Sequence, residues 1–494
     1  MVVIARLVGI LCVSFLLFSC HSPTTEALRF GLQTAPTTLD PRFATDAVSS
    51  RLVRLIYQPL IDFDEQSRPV PVIADWQQLS ETLFRFELIK EAQFHHGKKV
   101  TAQDVWATYN SVLNNKPASP FRAQLASIDS ITVINDRVIE FKLKQRDNLF
   151  ISRMNIPIMP GDLINSRHDF STQPVGSGNF KLGSWEAQGV LTLQRVADGR
   201  RISFIEVKNP TVRVLKLLNN EIDIIQNDIT PELVRHLEQQ KAINVSSANG
   251  SNFSYIGFNM QDELVGVRQI RRALAMAIDR QAIIHFILND HARQASSVLV
   301  PEHWAGHDGL ETLPYDPLKA KQLLEGLGYH TDRPLNLVYK TSSNPLRVRI
   351  ATIIQSQLKN IGVAVKIQSH DWGTFYGDIK AGNFQMYSLS WVAIKSPDIF
   401  ENVFHSKLTP PRGANRGRYN NSRVDTWISQ SQHVASTSEQ QNMYKKIQQQ
   451  VLEDLPYIPL WYEDHIVAHQ KHVSGYRLQS DGNYDSLATV RWRQ

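Results

Sequence analysis

This 494-residue sequence predicts an α/β fold. Short β-like runs alternate with helical patterns, one stretch spells out a complete strand–helix–strand unit, and neither low complexity nor a long linker interrupts the alternation. In chain order, 131–134 and 138–143 flank Asn135-Asp136 and predict a hairpin. Residues 267–288 place Ile270, Leu274 and Ile278 at helical spacing, with Arg268, Arg271 and Arg272 on the opposite, wet face, and predict one core-packing helix. Residues 335–339 read as a strand, 346–358 as an amphipathic helix and 363–367 as a second strand. Gly362 suits the left-handed position that follows a helix. A unit of this kind has parallel strands and a right-handed crossover. No internal repeat of fixed period occurs.

With 42% hydrophobic residues the chain can bury a large core, and its length suggests two or three domains. The N-terminus reads as a lipoprotein signal at 1–19: Arg6 supplies a positive charge, 7–18 an apolar run, and Ser19 precedes a Cys20 available for acylation. That run is short for a spanning helix, which needs about 20 apolar residues. Residues 20–26 would then be a lipidated tether, and the protein a periplasmic or extracytoplasmic lipoprotein. The only two cysteines are Cys12 and Cys20, so the mature domain has neither a disulfide pair nor a thiolate metal cluster. The formal charge of +6 is spread out, and Arg412, Arg416 and Arg418 sit among Gly, Pro and Asn. No basic stripe with interleaved aromatics points to nucleic acid.

An exported hydrolase or folding factor is the rival from another class. The chain lacks a Gly-x-Ser-x-Gly elbow, and Gly176-Ser177-Gly178 lacks the outer glycines of such a turn. It also lacks a His-Glu-x-x-His zinc motif and a phosphate-binding loop, so no catalytic residue, metal or cofactor is assigned. His465, His469 and His472 would share a helix face, but Ile466-Val467-Ala468 reads as a strand, on which His472 points away from the other two. His303 and His307 enclose Gly306, and neither histidine set has the ligand company of a metal site.

From residue 28 to the end the motifs follow one order: Thr38-Leu39-Asp40-Pro41; Phe94-His95-His96-Gly97 with Val100-Thr101-Ala102-Gln103-Asp104-Val105; Gly176-Ser177-Gly178-Asn179-Phe180-Lys181-Leu182; Tyr255-Ile256-Gly257-Phe258-Asn259; Arg271-Arg272-Ala273 leading to Ala277-Ile278-Asp279-Arg280; Tyr315-Asp316-Pro317; and Pro456-Tyr457-Ile458-Pro459-Leu460. In this order the chain resembles the oligopeptide/dipeptide-binding class of extracellular solute-binding proteins that serve ABC importers, family 5. Locally, Thr101 is placed to cap the helix that follows, its hydroxyl oxygen accepting a backbone N–H. Gly176 and Gly178 permit a close, positive-φ approach of two backbones. Asp316-Pro317 opens a helix with proline at its first position.

The resemblance implies a bilobed, three-domain periplasmic-binding-protein fold (type II-like) with mixed sheets and a hinge. Domain I would comprise 27–46, 172–261 and 477–494, domain II 47–171, and domain III 262–476. It also implies a monomeric, non-enzymatic receptor that captures a peptide or other small solute and passes it to the transmembrane subunits of an importer. A metal chelate, opine or sugar is the alternative ligand. Ligand contacts would come from the backbone of Ala35, Pro36 and Thr37 on one lobe and of Ser390, Trp391 and Val392 on the other, with Trp372 and Trp391 as cleft aromatics. Peptide-binding relatives commonly place an Asp three residues after the cleft tryptophan; here Ile394 stands there, followed by Lys395, with Asp398 further on. A buried ammonium without a carboxylate partner costs several kcal/mol. Either Asp398 or another acid replaces the missing one, or the ligand is blocked, anionic or not a peptide. The lipoprotein reading predicts that Cys20→Ser releases the protein into the soluble fraction or leaves it uncleaved. Membrane fractionation checks this, and soluble wild-type protein with a free Cys20 thiol would refute it.

Overall fold

The computed structural model describes residues 27–89, 91–114, 119–186, 189–392, 394–434 and 436–493; Cys20 and the whole N-terminal signal and tether lie outside them. Two long antiparallel strands, Ile243–Phe258 and Tyr457–Gln470, form the spine. They pair along most of their length, with the register broken between Ala248 and Asn252. On one side of the break the second strand continues through Ile224–Gln226 to Leu28–Leu32, Arg201–Glu206, Val190–Arg195 and Phe180–Trp185. On the other side the first strand continues through Met386–Trp391 to Leu335–Ser342 and Val363–His370. One 11-stranded mixed sheet thus runs through both lobes.

Separate hydrophobic cores pack on the two wings. Leu28, Phe30, Leu52, Phe180, Phe204 and Tyr484 gather on the first wing. Beside it, the antiparallel sheet Ala74–Ser80, Leu83–Leu88, Val138–Leu143, Ile128–Asn135 packs with the helix Ala102–Asn114 around Phe86, Tyr109 and Phe141. The second wing holds two clusters, one around Leu274, Leu337, Ile354 and Trp461 and one around Phe253, Tyr255, Phe375 and Tyr444. The two lobes touch away from the spine. Trp304 N–H donates to the Gln66 carbonyl at 2.8 Å, and the Asn148 side-chain amide donates to the Val434 carbonyl at 2.7 Å.

The strand–helix–strand unit is present: Leu335–Ser342 and Val363–His370 are parallel neighbours around the helix Pro345–Lys359, with Gly362 at φ +83°. The hairpin is Ile128–Asn135 against Val138–Leu143. Asp316 caps the helix Pro317–Glu325 by accepting the Lys319 N–H at 2.9 Å. Three local expectations are corrected. The helix expected over 267–288 is two helices, Arg268–Ala277 and Arg280–Phe286, because Ile278 turns extended and Asp279 caps a new start. Arg271 is buried rather than wet, since its guanidinium donates to the carbonyls of Val265, Gly266, Asp454 and Leu455 and so closes two chain ends. The Thr101 hydroxyl donates to the Asp104 carboxylate at 2.8 Å instead of accepting a backbone N–H, so the acid supplies the acceptor at this helix start.

Gly176 and Gly178 do meet another backbone closely, without positive φ. A Cβ at Gly176 would lie 2.1 Å from the Ile56 carbonyl oxygen. Gly176→Ala should therefore cost at least about 2 kcal/mol through overpacking. Gly377→Ala, where a Cβ meets nothing within 4 Å inside the helix Trp372–Ala381, should gain about 0.5–1 kcal/mol. Paired denaturant titrations decide, and equal stabilities would contradict the packing.

Two buried histidines sit at junctions of this frame. His465 lies on the spine beside the register break, and His303 donates through Nε2 to the Lys395 carbonyl at 3.1 Å next to the lobe contact. Burial pushes both down from 6.5 to about 4. Folding therefore favours their neutral forms, so the stability they contribute is complete above about pH 6.5 and falls as the pH drops toward 4. Each should lose about 2 kcal/mol between pH 7 and pH 5. Thermal melts across this range should show the decline, with a shallower slope in His303→Gln. An unchanged slope in that variant would contradict the assignment.

Candidate ligand cleft

The cleft lies where the second wing leaves the spine. Met386–Trp391 pairs with the spine over Phe253–Phe258, but its other neighbour, Leu335–Ser342, pairs with it only at Met386 and Tyr387. From Ser388 onward one edge of the strand has no strand partner among the described residues, and strand residues direct backbone N–H and C=O groups to that edge. Beside it a cavity of about 170 Å³ is lined by Ser342, Arg347, Trp372, Ser388 and Ser390. Trp372 and Val392 are 60% and 61% exposed, unusual for large apolar side chains.

Trp372 and Trp391 are joined through a buried cation. Trp372 stacks on Tyr376 with ring centroids 5.3 Å apart, and the Arg416 guanidinium lies 5.4 Å from the Tyr376 ring and 4.6 Å from the Trp391 ring. Arg416 donates to the Tyr255 and Tyr376 hydroxyls, both at 3.2 Å. Burial alone would lower its pKa, but the surrounding phenols raise it, so the charge is kept. Stacked cations of this sort are worth about 2 kcal/mol when desolvated. They hold the two tryptophans as a rigid platform.

A second polar knot lies on the spine. Arg347, in the first turn of its helix, places Nη1 2.8 Å from Glu463 Oε1, which also accepts from Ser254 Oγ at 2.7 Å. Ser254 Oγ in turn lies 2.6 Å from Ser390 Oγ. Burial would raise the Glu463 carboxyl, but the Arg347 charge and these donors hold it below its ordinary value, while Glu463 raises Arg347. Both groups are therefore charged. Neither stood out in the sequence, because their partners are far away along the chain: Arg347 reads as the wet face of an amphipathic helix and Glu463 as one strand position among many.

The residues expected from sequence fall into three groups. Ser390 and Trp372 line the cavity, whereas Trp391 does not line it and packs on the Arg416 guanidinium, with Val392 exposed at the open strand's end. Ala35, Pro36 and Thr37 follow the strand Leu28–Leu32, which lies across three intervening strands from Met386–Trp391. There the Ala35 N–H donates to Glu206 at 3.2 Å and the Thr37 N–H to Ser49 Oγ at 2.9 Å, so both donors are engaged within the protein. Ile394 packs half-buried against the core shared with Phe253 and Phe400. Lys395 neither faces solvent freely nor stands alone: its ammonium is 2.6 Å from Asp481 of the other lobe and 5.6 Å from the Phe63 ring centroid. Burial would raise Asp481, and Lys395 holds it down. Asp398 stands at the cap position of Ile399–Phe404 without capping through its side chain.

Among the described residues the histidines form no common site. His303 is engaged with Lys395, Asn227 Nδ2 lies 3.1 Å from His465 Nδ1, and His472 Nε2 lies 3.4 Å from Asp223. A larger polar recess of about 630 Å³ lies around Tyr419 and Asp454. Its acid is held by Tyr419 at 2.6 Å and Asn421 at 2.8 Å, so it reads as a structural junction.

Comparison with known proteins agrees with this architecture. The chain is 26% identical over 488 residues to the di/tripeptide-binding protein 2 of Pseudomonas aeruginosa, covering 90% of this chain and 91% of that one. Its fold superposes on the ABC transporter substrate-binding protein CtaP from Listeria monocytogenes with a TM-score of 0.85, at 24% identity and covering 95% and 99% of the two chains. NikZ from Campylobacter jejuni superposes with a TM-score of 0.79, at 22% identity and covering 94% and 99%. The first two are named for binding or transport, and the third is in complex with Ni(L-His). The middle-region profile of the bacterial extracellular solute-binding proteins, family 5, matches residues 68–407, and the chain belongs to that family.

Proposed function

We propose that this protein is a lipid-anchored extracytoplasmic receptor that captures a peptide between its two lobes and delivers it to an ABC importer. The observation that carries the peptide reading is the open edge of Ser388–Trp391 beside the cavity. An extended ligand adds there as a strand, gaining main-chain hydrogen bonds that do not depend on its sequence. The similarity to a di/tripeptide-binding protein supports the same ligand class. The proposed domain division is 27–46, 172–261 and 477–494 for domain I, 47–171 for domain II and 262–476 for domain III, with the spine strands passing between lobes. A second reading, a metal chelate, rests on the structural neighbour NikZ, which is in complex with Ni(L-His).

Recognition of a free N-terminus has no support near Trp391. Ile394 is apolar and packed against the core, and the Lys395 charge is matched by Asp481. A free α-ammonium gains no partner there, so N-acetylation should not weaken binding. Calorimetry with tri-alanine and N-acetyl-tri-alanine should give affinities within about threefold, or favour the acetylated form. Ile394→Asp should favour the free amine by about tenfold, the size expected of one charge-assisted hydrogen bond. A strong free-amine preference that disappears in Asp398→Asn would overturn this reading of the cleft and assign the contact to Asp398. Failure of both peptides to bind, with a nickel–histidine complex binding instead, would favour the chelate.

A further inference from the structure

We propose that the end of the first wing where residue 27 enters the sheet is a membrane-facing surface, on which Arg201, Lys241, Lys471, Arg491 and Arg493 meet the anionic phospholipid headgroups of the bilayer that holds the Cys20 anchor. The inference rests on the lipid-anchored reading and adds which face of the receptor lies on the lipid. These cations come from four separate stretches of sequence. The strand register gathers them. Leu28–Leu32 runs parallel to Arg201–Glu206 with Leu28 opposite Ile202, which puts Arg201 beside Ala27. The other neighbour of that strand is Ile224–Gln226, whose Ile224 faces His469 near the end of the spine. Two residues on, Lys471 donates its N–H to the Ala242 carbonyl at 3.2 Å, next to Lys241. The last residues of the chain close the same end. Ser474 pairs with Arg491, the Arg493 N–H donates to the His472 carbonyl at 3.2 Å, and Arg200 Nη1 donates to the Trp492 carbonyl at 3.3 Å.

All five side chains are exposed, and none has an ion-pair partner among the described residues. The acids at this end are already engaged. Asp223 is buried between Arg29 at 2.7 Å and His472 at 3.4 Å, and Asp198 lies 2.7 Å from Arg195 and 3.8 Å from Arg200. Glu221 is bound by Lys216, and Glu238 lies 3.5 Å from His291. Folding thus leaves a positive face around the entry of the tether, against which the tether itself sets one acid, Glu26. Lysine and arginine are attracted to an anionic bilayer within a Debye length, about 8 Å at physiological ionic strength. The anchor supplies that proximity. From Cys20 to Ala27 the chain takes seven steps and reaches at most about 25 Å when fully extended. Held that close, the face needs little affinity of its own, because its contact with lipid is intramolecular. Acyl chains and a basic surface together anchor more stably than either alone. Trp492, the aromatic residue among these cations, is buried against Arg195 and Arg200, so no ring is offered there to a nucleic-acid base.

The test reconstitutes the full-length protein on vesicles of phosphatidylcholine, alone or with about one-third phosphatidylglycerol. It reads the acetylation rates of Lys241 and Lys471 against Lys366, an exposed lysine on the outermost strand of the second wing. On the anionic vesicles Lys241 and Lys471 should react at least threefold more slowly than on the neutral ones, with Lys366 unchanged, and about 0.5 M salt should remove the difference. The variant Arg201→Gln/Arg491→Gln/Arg493→Gln keeps both reporter lysines and alters only exposed side chains. It should melt near wild type and lose the protection. Flotation separates this result from the anchor. Protein that floats with anionic but not with neutral vesicles, in a way the three arginines decide, refutes the acyl anchor and leaves the surface assigned. Equal labelling of floated protein on both vesicles, protection that survives the triple variant, equal slowing of Lys366, or failure to float with either vesicle overturns the proposal. Protection by a DNA oligonucleotide with none by vesicles also overturns it and makes the face a nucleic-acid contact.

Discussion

Everything in this molecule hangs on the pairing of Ile243–Phe258 with Tyr457–Gln470. Both strands run through both wings of the sheet, and the ladder breaks between Ala248 and Asn252, opposite Glu463 and His465. At that break Gly250 comes so close to the partner strand that a Cβ would lie 2.1 Å from the Glu463 carbonyl oxygen. The spine is therefore tightly held at its middle while its register is locally interrupted. The cleft residues Glu463 and Ser254 sit on these same strands, so the cleft is tied to the middle of the spine.

The charges of the cleft are arranged so that little is left unbalanced. Lys395 is matched by Asp481 across the lobes, Arg347 by Glu463, and Arg54 by Asp62 and Asp485. Arg416 differs, its charge being held by aromatic faces and phenol hydroxyls. That choice leaves the cleft wall apolar at Trp372 and Trp391 while fixing both rings. Loss of one member of a partly buried pair leaves its partner uncompensated, a cost that exceeds the value of the pair itself.

Local chemistry was legible in the sequence where a few neighbouring residues decide the outcome. The strand–helix–strand unit, the hairpin around Asn135-Asp136 and the Asp316-Pro317 helix start follow from periodicity and turn chemistry. The motif order reaches further and identifies the family. Illegible were features set by distant partners. Arg271 looks solvated on a helical wheel and is buried because the carbonyls of Val265 and Gly266 just upstream and those of Asp454 and Leu455 far along the chain converge on it. The break at Ile278-Asp279 lies inside an uninterrupted apolar pattern. At the cleft, Trp372, Trp391 and the loss of an acid at Ile394 could be read in advance, whereas the Lys395–Asp481 bridge and the Arg347–Glu463 pair join residues 86 and 116 positions apart along the sequence.

The central claim is that the open edge of Met386–Trp391 is where a ligand adds. Hydrogen–deuterium exchange measures this most directly, because a strand that gains a partner protects its amides. On addition of a mixed tripeptide library at saturating concentration, amides within 388–392 should exchange at least tenfold more slowly, while those of the Ile128–Asn135 hairpin should not change. Binding proven by calorimetry with no protection at 388–392 would contradict the account and place the ligand elsewhere.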